Sequence, residues 1–149
     1  MKRKKKNASS KSLLLVSGDD ELKRQITGVL SLAHLSLTLL TTVTCGQDAL
    51  KILARERPHL VILDDDLPDA TGLDLLRSLH HNGIKTLVVY MAAHHVLDLE
   101  KAVRQLGVLY YTEKPPDPGA IKVIIERNCQ SRGDEARRRT VLSPTEERV

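Results

Sequence analysis

The sequence predicts an α/β fold in which a doubly wound parallel sheet carries helices on both faces. Short, continuous apolar runs are typical of strands that are covered on both faces. Between these runs, apolar residues recur three or four positions apart, as they do on the buried side of a helix. The two patterns alternate five times along the chain with short loops between them. Such alternation favours a parallel sheet over an antiparallel one.

The predicted strands are the apolar runs themselves. In chain order they cover residues 13–16, 35–43, 60–63, 87–91 and 108–111. The second run alternates loosely and is rich in threonine, whose branched side chain suits a strand. We therefore expect a sheet of five strands, most of it buried.

The predicted helices lie between the strands and are defined by the spacing of their apolar residues. Their marker residues, taken in pairs from the first helix to the fifth, are Leu22 and Ile26, Ala49 and Leu53, Leu73 and Leu76, Leu99 and Val103, and Ile121 and Ile125. The second helix is expected to end before Pro58. The third is expected to end near Gly83 and the fourth at Gly107, because glycine suits the left-handed conformation at a helix end.

A chain of 149 residues is long enough for one domain with its own core and too short for two full-sized domains. We expect residues 12–130 to form that domain. Residues 1–11 are rich in lysine and poor in apolar residues, which predicts a disordered basic tail. Such a tail either keeps the protein in solution or touches nucleic acid or an anionic surface. Residues 131–149 are expected to be a linker or tail.

Several protein classes are disfavoured by the sequence. No apolar run approaches the roughly 18 residues of a membrane span, and no signal-peptide pattern follows the start. Cys45 and Cys129 stand in no metal-binding or redox spacing. These features indicate a cytoplasmic protein with unpaired thiols and no contact with a membrane.

Charged residues follow three of the predicted strands. Asp19 and Asp20 follow the first strand, Asp64 follows the third, and Lys114 follows the fifth. The carboxyl ends of parallel strands meet at one edge of the sheet, where ligands bind. Converging carboxylates repel one another unless a cation is present, and magnesium suits a few carboxylates with water and phosphate. A carboxylate beside magnesium and a lysine can act as a nucleophile toward a phosphoryl group.

At these residues the chain resembles the receiver domain of two-component response regulators. The phosphoacceptor motif of that family is an aspartate, two variable residues, Met or Leu, then proline and a following glycine. The segment DDDLP at residues 64–68, with Gly72 after it, matches this motif. The segment LEKAVRQLGVLYYTEKP at residues 99–115 is similar to the family's region from the fourth helix to its lysine–proline pair. The resemblance covers about residues 12–130.

The resemblance implies a flavodoxin-like sheet with strand order 2-1-3-4-5, and it implies that Asp64 is the phosphoacceptor. Lys114 would contact the phosphoryl group. Magnesium would be held by Asp19, Asp64 and the main-chain carbonyl of Asp66. Tyr111 falls where the family places its switching aromatic residue, whereas the residue after Asp64 is a variable one.

The resemblance also implies partners and a mode of action. A sensor histidine kinase would supply the phosphoryl group, and the fourth helix, fifth strand and fifth helix would form the face that binds a partner or a second copy of the chain. The protein would not be an enzyme, apart from its own magnesium-dependent phosphorylation from a phosphodonor and its slow dephosphorylation.

Two positions depart from the pattern of the family. Ser17 and Gly18 replace the acidic pair that follows the family's first strand, so that Asp19 reaches the metal site only if the chain bulges by one residue. Met91 falls where the family's fourth strand ends in a Thr or Ser, and its thioether cannot donate a hydrogen bond. These departures support a second hypothesis, a receiver-like interaction module that is never phosphorylated.

Further alternatives rest on short segments. A magnesium phosphohydrolase would use Asp66 as an acid/base two residues after the nucleophile. The adjacent pairs His80-His81 and His94-His95 do not share a helix face, so neither is expected to form a metal site. The final residues, LSPTEERV at 142–149, resemble the start of the helix-turn-helix output domains of response regulators. The chain would then contact DNA only through an output domain that is missing here.

Overall fold

The computed structural model describes residues 12–32 and 39–128 of the chain. Strands and helices alternate throughout. In chain order they are β1 Ser12–Val16, α1 Asp20–Leu32, β2 Leu39–Val43, α2 Gly46–Glu56, β3 Leu60–Asp64, α3 Gly72–His81, β4 Leu87–Ala92, α4 Leu97–Gln105, β5 Tyr110–Glu113 and α5 Pro118–Asn128.

The five strands form one parallel sheet in the order β2-β1-β3-β4-β5. The predicted fold class and strand order are therefore confirmed. The described part of the second strand begins at Leu39, and residues 33–38 of the predicted run lie outside the described residues. The fifth strand runs from Tyr110 to Glu113, two residues later than the sequence predicts.

The sheet is buried on both faces, and each face has its own core. Side chains alternate between the two faces along each strand, as a pleated strand requires. On one face α2, α3 and α4 cover Val61, Leu63 and Tyr90. On the other face α1 and α5 cover Ile62 and Met91. This two-sided burial explains why β1 and β3 appear in the sequence as continuous apolar runs.

The loop after β3 is tied to its surroundings by helix caps. Thr71 accepts a hydrogen bond from the backbone N–H of Asp74, whose carboxylate in turn accepts one from the backbone N–H of Thr71, which forms a capping box. Asp69 accepts hydrogen bonds from the N–H groups of Gly46 and Gln47 at 2.8 and 3.0 Å, at the start of α2. These bonds hold the pKa of Asp69 below its usual range.

The expected helix ends are confirmed at two glycines. Gly83 and Gly107 have φ angles of 69° and 83°, the left-handed conformation that only glycine adopts without strain. No helix among residues 12–32 and 39–128 is long and apolar enough to cross a membrane. The basic tail, the C-terminal linker with its LSPTEERV segment, and Cys129 lie outside the described residues.

Candidate functional site

Four side chains meet at the carboxyl edge of the sheet. Asp64 is the last residue of β3, and Ser17 follows β1 directly. Asp19 stands just before α1, and Lys114 follows β5. Asp64 and Ser17 are completely buried, and apart from Tyr90 and Tyr111 no other polar side chain in the described part of the chain is buried. The predicted convergence of Asp19, Asp64 and Lys114 is what the geometry shows.

The carboxylate of Asp64 receives hydrogen bonds on both of its oxygens. Its Oδ2 accepts a bond of 2.7 Å from the hydroxyl of Ser17, and its Oδ1 accepts one of 3.1 Å from the N–H of Asp66. The ammonium of Lys114 lies 3.1 Å from Oδ1 and 3.2 Å from Oδ2. Burying a charge is costly unless it is paired and hydrogen-bonded, and this arrangement meets both requirements.

Lys114 also binds Asp19, so one ammonium serves two carboxylates. Its Nζ lies 3.2 Å from Oδ2 of Asp19. Burial alone would lower the pKa of Lys114, but its hydrogen bonds to Asp64 and Asp19 outweigh burial and raise that pKa. The hydrogen bond from Lys114 lowers the pKa of Asp19 despite an opposing effect of burial. Both groups are therefore held in their charged forms.

Ser17 is a site residue that the sequence did not single out for a role. Its Oγ accepts a hydrogen bond of 2.9 Å from the N–H of Asp19 while it donates to Asp64. The only signal in the sequence was its place one residue past a buried strand, where serine replaces an acid. Asp20, by contrast, is exposed and lies 3.8 Å from Lys23 on the surface of α1.

Asp65, which the family resemblance implies is a variable residue, contacts a core tyrosine. The hydroxyl of Tyr90 in β4 donates a hydrogen bond to Oδ1 of Asp65. Burial and then the bond to Asp65 raise the pKa of Tyr90. Tyr90 has room because Gly72 has no side chain: a Cβ there would lie 2.9 Å from the Tyr90 hydroxyl and 3.0 Å from the carbonyl oxygen of Asp64. The motif glycine thus permits this contact.

Tyr111, the expected switching aromatic, is buried and lies inside the structure rather than outward. Its ring stacks on Tyr90 with centroids 5.9 Å apart and planes 5° apart. Arg104 lies 5.6 Å over the ring, and His95 meets it edge-on at 6.5 Å. Its hydroxyl is buried without a hydrogen-bond partner. Burial and then the nearby charge of Glu100 raise the pKa of Tyr111.

Glu100 joins the two groups that cover Tyr111. It binds His95 and Arg104 at 2.8 Å each. These bonds, His95 first, lower the pKa of Glu100. The remaining histidines of the two pairs, His80, His81 and His94, are exposed.

The assignment of Met91 to the end of β4 is corrected by the structure. The strand extends one residue further, to Ala92. Met91 is completely buried in the core beneath α1 and α5, whereas Ala92 shares the opposite core with Tyr111. An apolar run does not reveal at which residue its strand ends, which explains the error. The strand end still carries no hydroxyl.

Magnesium is the metal that the sequence implies, and the donors present do not make a complete site for it. Both oxygens of Asp64 are already engaged, and the ammonium that binds them also binds Asp19. Over the part of the chain that the structure describes, no group of three or more His, Cys, Asp or Glu side chains is placed to hold a metal ion. The carbonyl of Asp66 would have to supply a further ligand.

Comparison with known proteins places these features in a family. A family model described as the response regulator receiver domain matches residues 13–126. The regulatory protein LuxO of Vibrio cholerae is 30% identical over 83 residues, which cover 56% of this chain and 18% of that protein. Sporulation initiation phosphotransferase F of Bacillus subtilis is 32% identical over 82 residues, or 55% of this chain and 66% of that protein.

The fold comparison agrees. The signal receiver domain of a LuxO repressor protein from Vibrio parahaemolyticus superposes with a TM-score of 0.71 at 29% identity, covering 78% of this chain and 87% of that one. The transcriptional regulatory protein FixJ of Azorhizobium caulinodans is 24% identical over 135 residues, which cover 91% of this chain and 63% of that protein. Each of the three curated relatives named here is thus matched over less than two thirds of its own length.

Proposed function

This chain belongs to the family of response regulator receiver domains of two-component systems, and we propose that it accepts a phosphoryl group on Asp64. The observation that carries the proposal is the pairing of the buried Asp64 carboxylate with the Lys114 ammonium at 3.1 Å. A carboxylate next to a fixed cation is a nucleophile with charge stabilisation beside it.

The proposed reaction is a transfer between two nucleophiles. A carboxylate oxygen of Asp64 attacks the phosphorus of the donor, the bond from phosphorus to the donor's nitrogen or oxygen breaks, and an acyl phosphate forms. In this step Lys114 would neutralise charge on the phosphoryl oxygens. Receiver domains are in general phosphoacceptors that depend on magnesium, and they are not catalysts of reactions on other molecules.

The phosphoryl donor reaches Asp64 from the side on which Asp19 and Lys114 separate it from solvent. Asp64 is completely buried, whereas the side chains of Lys114 and Asp19 are 19% and 38% exposed. A cavity of about 210 Å³ opens beside them, lined by Asp19, Glu21, Leu22, Gln25, Lys114 and Pro115. We propose that Lys114 moves from Asp64 onto the incoming phosphoryl group, which uncovers the nucleophile.

Receivers of this family interact with histidine kinases, and many carry output domains. We propose a cytoplasmic sensor histidine kinase domain as the phosphoryl donor. The face formed by α4, β5 and α5 is the proposed contact for a partner or a second copy of the chain, and DNA contact would require an output domain.

We further propose that Tyr111 reports phosphorylation through Tyr90 and not through a hydroxyl at the end of β4. Phosphorylation adds about −1.5 to −2 charge next to Asp65. That charge repels the Asp65 carboxylate, which accepts the Tyr90 hydrogen bond, and Tyr90 stacks on Tyr111. A change at Asp65 can therefore reach the Arg104 and His95 side chains that cover Tyr111.

A second candidate function is a receiver-like module that works by constitutive contacts and is never phosphorylated. Two observations favour it. Both oxygens of Asp64 already bind groups of the protein, and β4 ends at Ala92, which has no hydroxyl. Such a module would use the same α4, β5 and α5 face without a switch.

One experiment separates the two functions. The protein is incubated with magnesium and either acetyl phosphate or phosphoramidate, and its intact mass is followed, with Asp64→Asn and Asp65→Asn as matched variants. We expect an adduct of one phosphoryl group in the wild type and in Asp65→Asn but not in Asp64→Asn. No adduct with either donor, together with no response to beryllofluoride, would establish the non-phosphorylated module. An adduct that persists in Asp64→Asn would move the acceptor to another residue.

A further inference from the structure

We infer that Ser17 is the positioning residue of this site, and that the lack of an acid at position 17 and the Lys114 ammonium together leave the site with only weak affinity for divalent cations. The positioning role deepens the proposed function of Asp64 and rests on it. The metal-binding consequence follows from the donors alone and can be tested without phosphorylation.

The position of Ser17 is fixed by the sheet. Its N–H donates a hydrogen bond of 2.9 Å to the carbonyl of Val43, which continues the pairing of β1 with β2. On the other side β1 pairs with β3, the strand that ends at Asp64. The hydroxyl of Ser17 is thus held between two strands, completely buried, and directed at the carboxylate.

The direction of the hydroxyl proton follows from the partners. The N–H of Asp19 can only donate, so at 2.9 Å it must use a lone pair of the Ser17 oxygen. The single proton of Ser17 is then left for Asp64 Oδ2 at 2.7 Å. This chain of bonds couples the loop that carries Asp19 to the orientation of Asp64. The Ser17 hydroxyl on Oδ2 and the Asp66 N–H on Oδ1 together fix the rotational orientation of the Asp64 carboxylate.

The charge count argues against tight divalent binding. Asp19 and Asp64 supply two negative charges, and the Lys114 ammonium within 3.2 Å of both has already neutralised one of them. Affinity for hard cations rises with the number of charged oxygen ligands. A serine hydroxyl at position 17 contributes no charge, and a dication would either share its ligands with the ammonium or displace it.

The same geometry assigns Ser17 a part in the phosphoryl transfer. A carboxylate has about four lone-pair sites. Here they are met by the Ser17 hydroxyl, the Asp66 N–H and two contacts from Lys114. When Lys114 moves to a phosphoryl oxygen, Ser17 and Asp66 still hold the carboxylate, so that the lone pairs which Lys114 releases are free to attack. Removing the hydroxyl would let the carboxylate rotate.

The test compares Ser17→Asp, Ser17→Ala and Ser17→Thr with the wild type. Binding of Mn²⁺, a spectroscopic substitute for Mg²⁺, is followed by electron paramagnetic resonance, and the melting temperature is measured with EDTA and with excess Mg²⁺. We expect weak binding and little Mg²⁺ stabilisation in the wild type, Ser17→Thr and Ser17→Ala. Ser17→Asp should bind Mn²⁺ at least about tenfold more tightly, because it adds a charged ligand, and should gain melting temperature with Mg²⁺.

Tight Mn²⁺ binding or strong Mg²⁺ stabilisation of the wild type would overturn the inference, and this measurement does not require Ser17→Asp to fold. A folded Ser17→Asp with unchanged affinity would also overturn it. The positioning role is read from the rate of adduct formation with phosphoramidate: Ser17→Ala should slow it about tenfold or more, since orientation is a large part of such barriers, and Ser17→Thr should restore it. An equal rate in Ser17→Ala would refute positioning.

The two proposals fail in different ways. If no variant is phosphorylated, the phosphoacceptor role of Asp64 is lost and with it the positioning role of Ser17. The metal-binding half is decided in any case by the Mn²⁺ and melting measurements.

Discussion

The hydroxyl of Tyr90 donates a hydrogen bond to the carboxylate of Asp65, the residue that follows the proposed phosphoacceptor. The two residues lie 25 positions apart: Asp65 directly follows β3, and Tyr90 lies on the neighbouring strand β4. The contact joins the loop that follows β3 to the stacked rings of Tyr90 and Tyr111. We propose that this contact links the site to α4 without a hydroxyl at the end of β4.

Replacing Tyr90 with Phe removes this hydrogen bond and keeps the ring. We expect a loss of about 1–2 kcal/mol in the free energy of unfolding, because the acceptor is a charged carboxylate. Urea denaturation measures it. Tyr110→Phe is the matched control on β5: Tyr110 is only partly buried, and the same change there should cost less than about 0.5 kcal/mol. Equal losses at the two positions would contradict a specific role for the Asp65 contact.

The same contact makes Tyr90 resistant to ionisation. Its pKa is raised by burial and by Asp65, so the neutral phenol is favoured in the folded state. The resulting stabilisation is complete below the ordinary tyrosine pKa of about 10 and is lost as the pH rises through the folded value. We expect absorbance at the phenolate band to show that Tyr90 ionises only when the fold is lost in alkali.

Tyr90→Phe supplies the control for that titration. The chain has three tyrosines, so the variant should lose one late step that coincides with unfolding by circular dichroism. Ionisation of Tyr90 well before unfolding would mean that the phenol is less protected than its burial implies.

Phosphorylation should reach the tyrosine stack through Asp65. The chain has no tryptophan, so its near-ultraviolet circular dichroism reports mainly on tyrosine. We expect acetyl phosphate or beryllofluoride to change this signal in the wild type and not in Asp64→Asn. Asp65→Ala should still form the adduct but show a much smaller change. A full spectral response in Asp65→Ala would rule out the route through Tyr90.

Gly72 is required for a steric reason. A Cβ at this position would lie 2.9 Å from the Tyr90 ring and hydroxyl and 3.0 Å from backbone, so Gly72→Ala forces the ring or the loop to move. We expect a loss of about 1–3 kcal/mol, the usual cost of overpacking. Gly28→Ala is the matched control, because a Cβ on Gly28 in α1 meets nothing within 4 Å. That variant should gain up to about 1 kcal/mol from helix propensity.

Both glycine variants are compared by urea denaturation under the same conditions. Similar stability changes of one sign would show that the space around Gly72 adapts and that the motif glycine has another purpose.

Much of the fold and part of the site could be predicted from the sequence. The helical spacing of apolar residues and the continuous apolar runs predict the helices and strands. The carboxyl ends of parallel strands lie at one edge of the sheet, which predicts that Asp64 and Lys114 lie close together, as they do. Asp19 was expected at the site only with a bulge, yet it reaches Lys114 across 95 positions. These successes depend on local pattern and on topology.

The rest depends on register, which local pattern does not contain. The hydrogen bond from Ser17 to Asp64 spans 47 positions and exists because the register that pairs Val16 of β1 with Leu63 of β3 places the next residues, Ser17 and Asp64, side by side. The strand β4 ends at Ala92 and not at Met91 as predicted. A difference of one residue places the terminal side chain on the opposite face of the sheet. The contact between Asp65 and Tyr90 likewise depends on the register of β4 beside β3.

Lys114 should be essential to stability as well as to phosphoryl transfer. Lys114→Met leaves Asp64 buried without its counter-charge, and breaking a buried pair in this way typically costs about 3–5 kcal/mol. The double variant Asp64→Asn with Lys114→Met removes both charges and should recover much of the loss. Urea denaturation of the two single variants and the double variant gives the coupling free energy. A coupling near zero would mean that the pair does not stabilise the fold.

The pKa of Asp19 reports on its ion pair with the Lys114 ammonium. Its pKa is lowered mainly by the hydrogen bond from Lys114, so its ionised form stabilises the fold above the ordinary aspartate pKa, and that contribution is lost as the pH falls through the lowered value. Carbon-detected NMR titration of Asp19 should therefore show its pKa rising toward 3.8 in Lys114→Met. An unchanged pKa would show that the N–H groups of Glu21 and Leu22, which also bind Asp19, set its value instead.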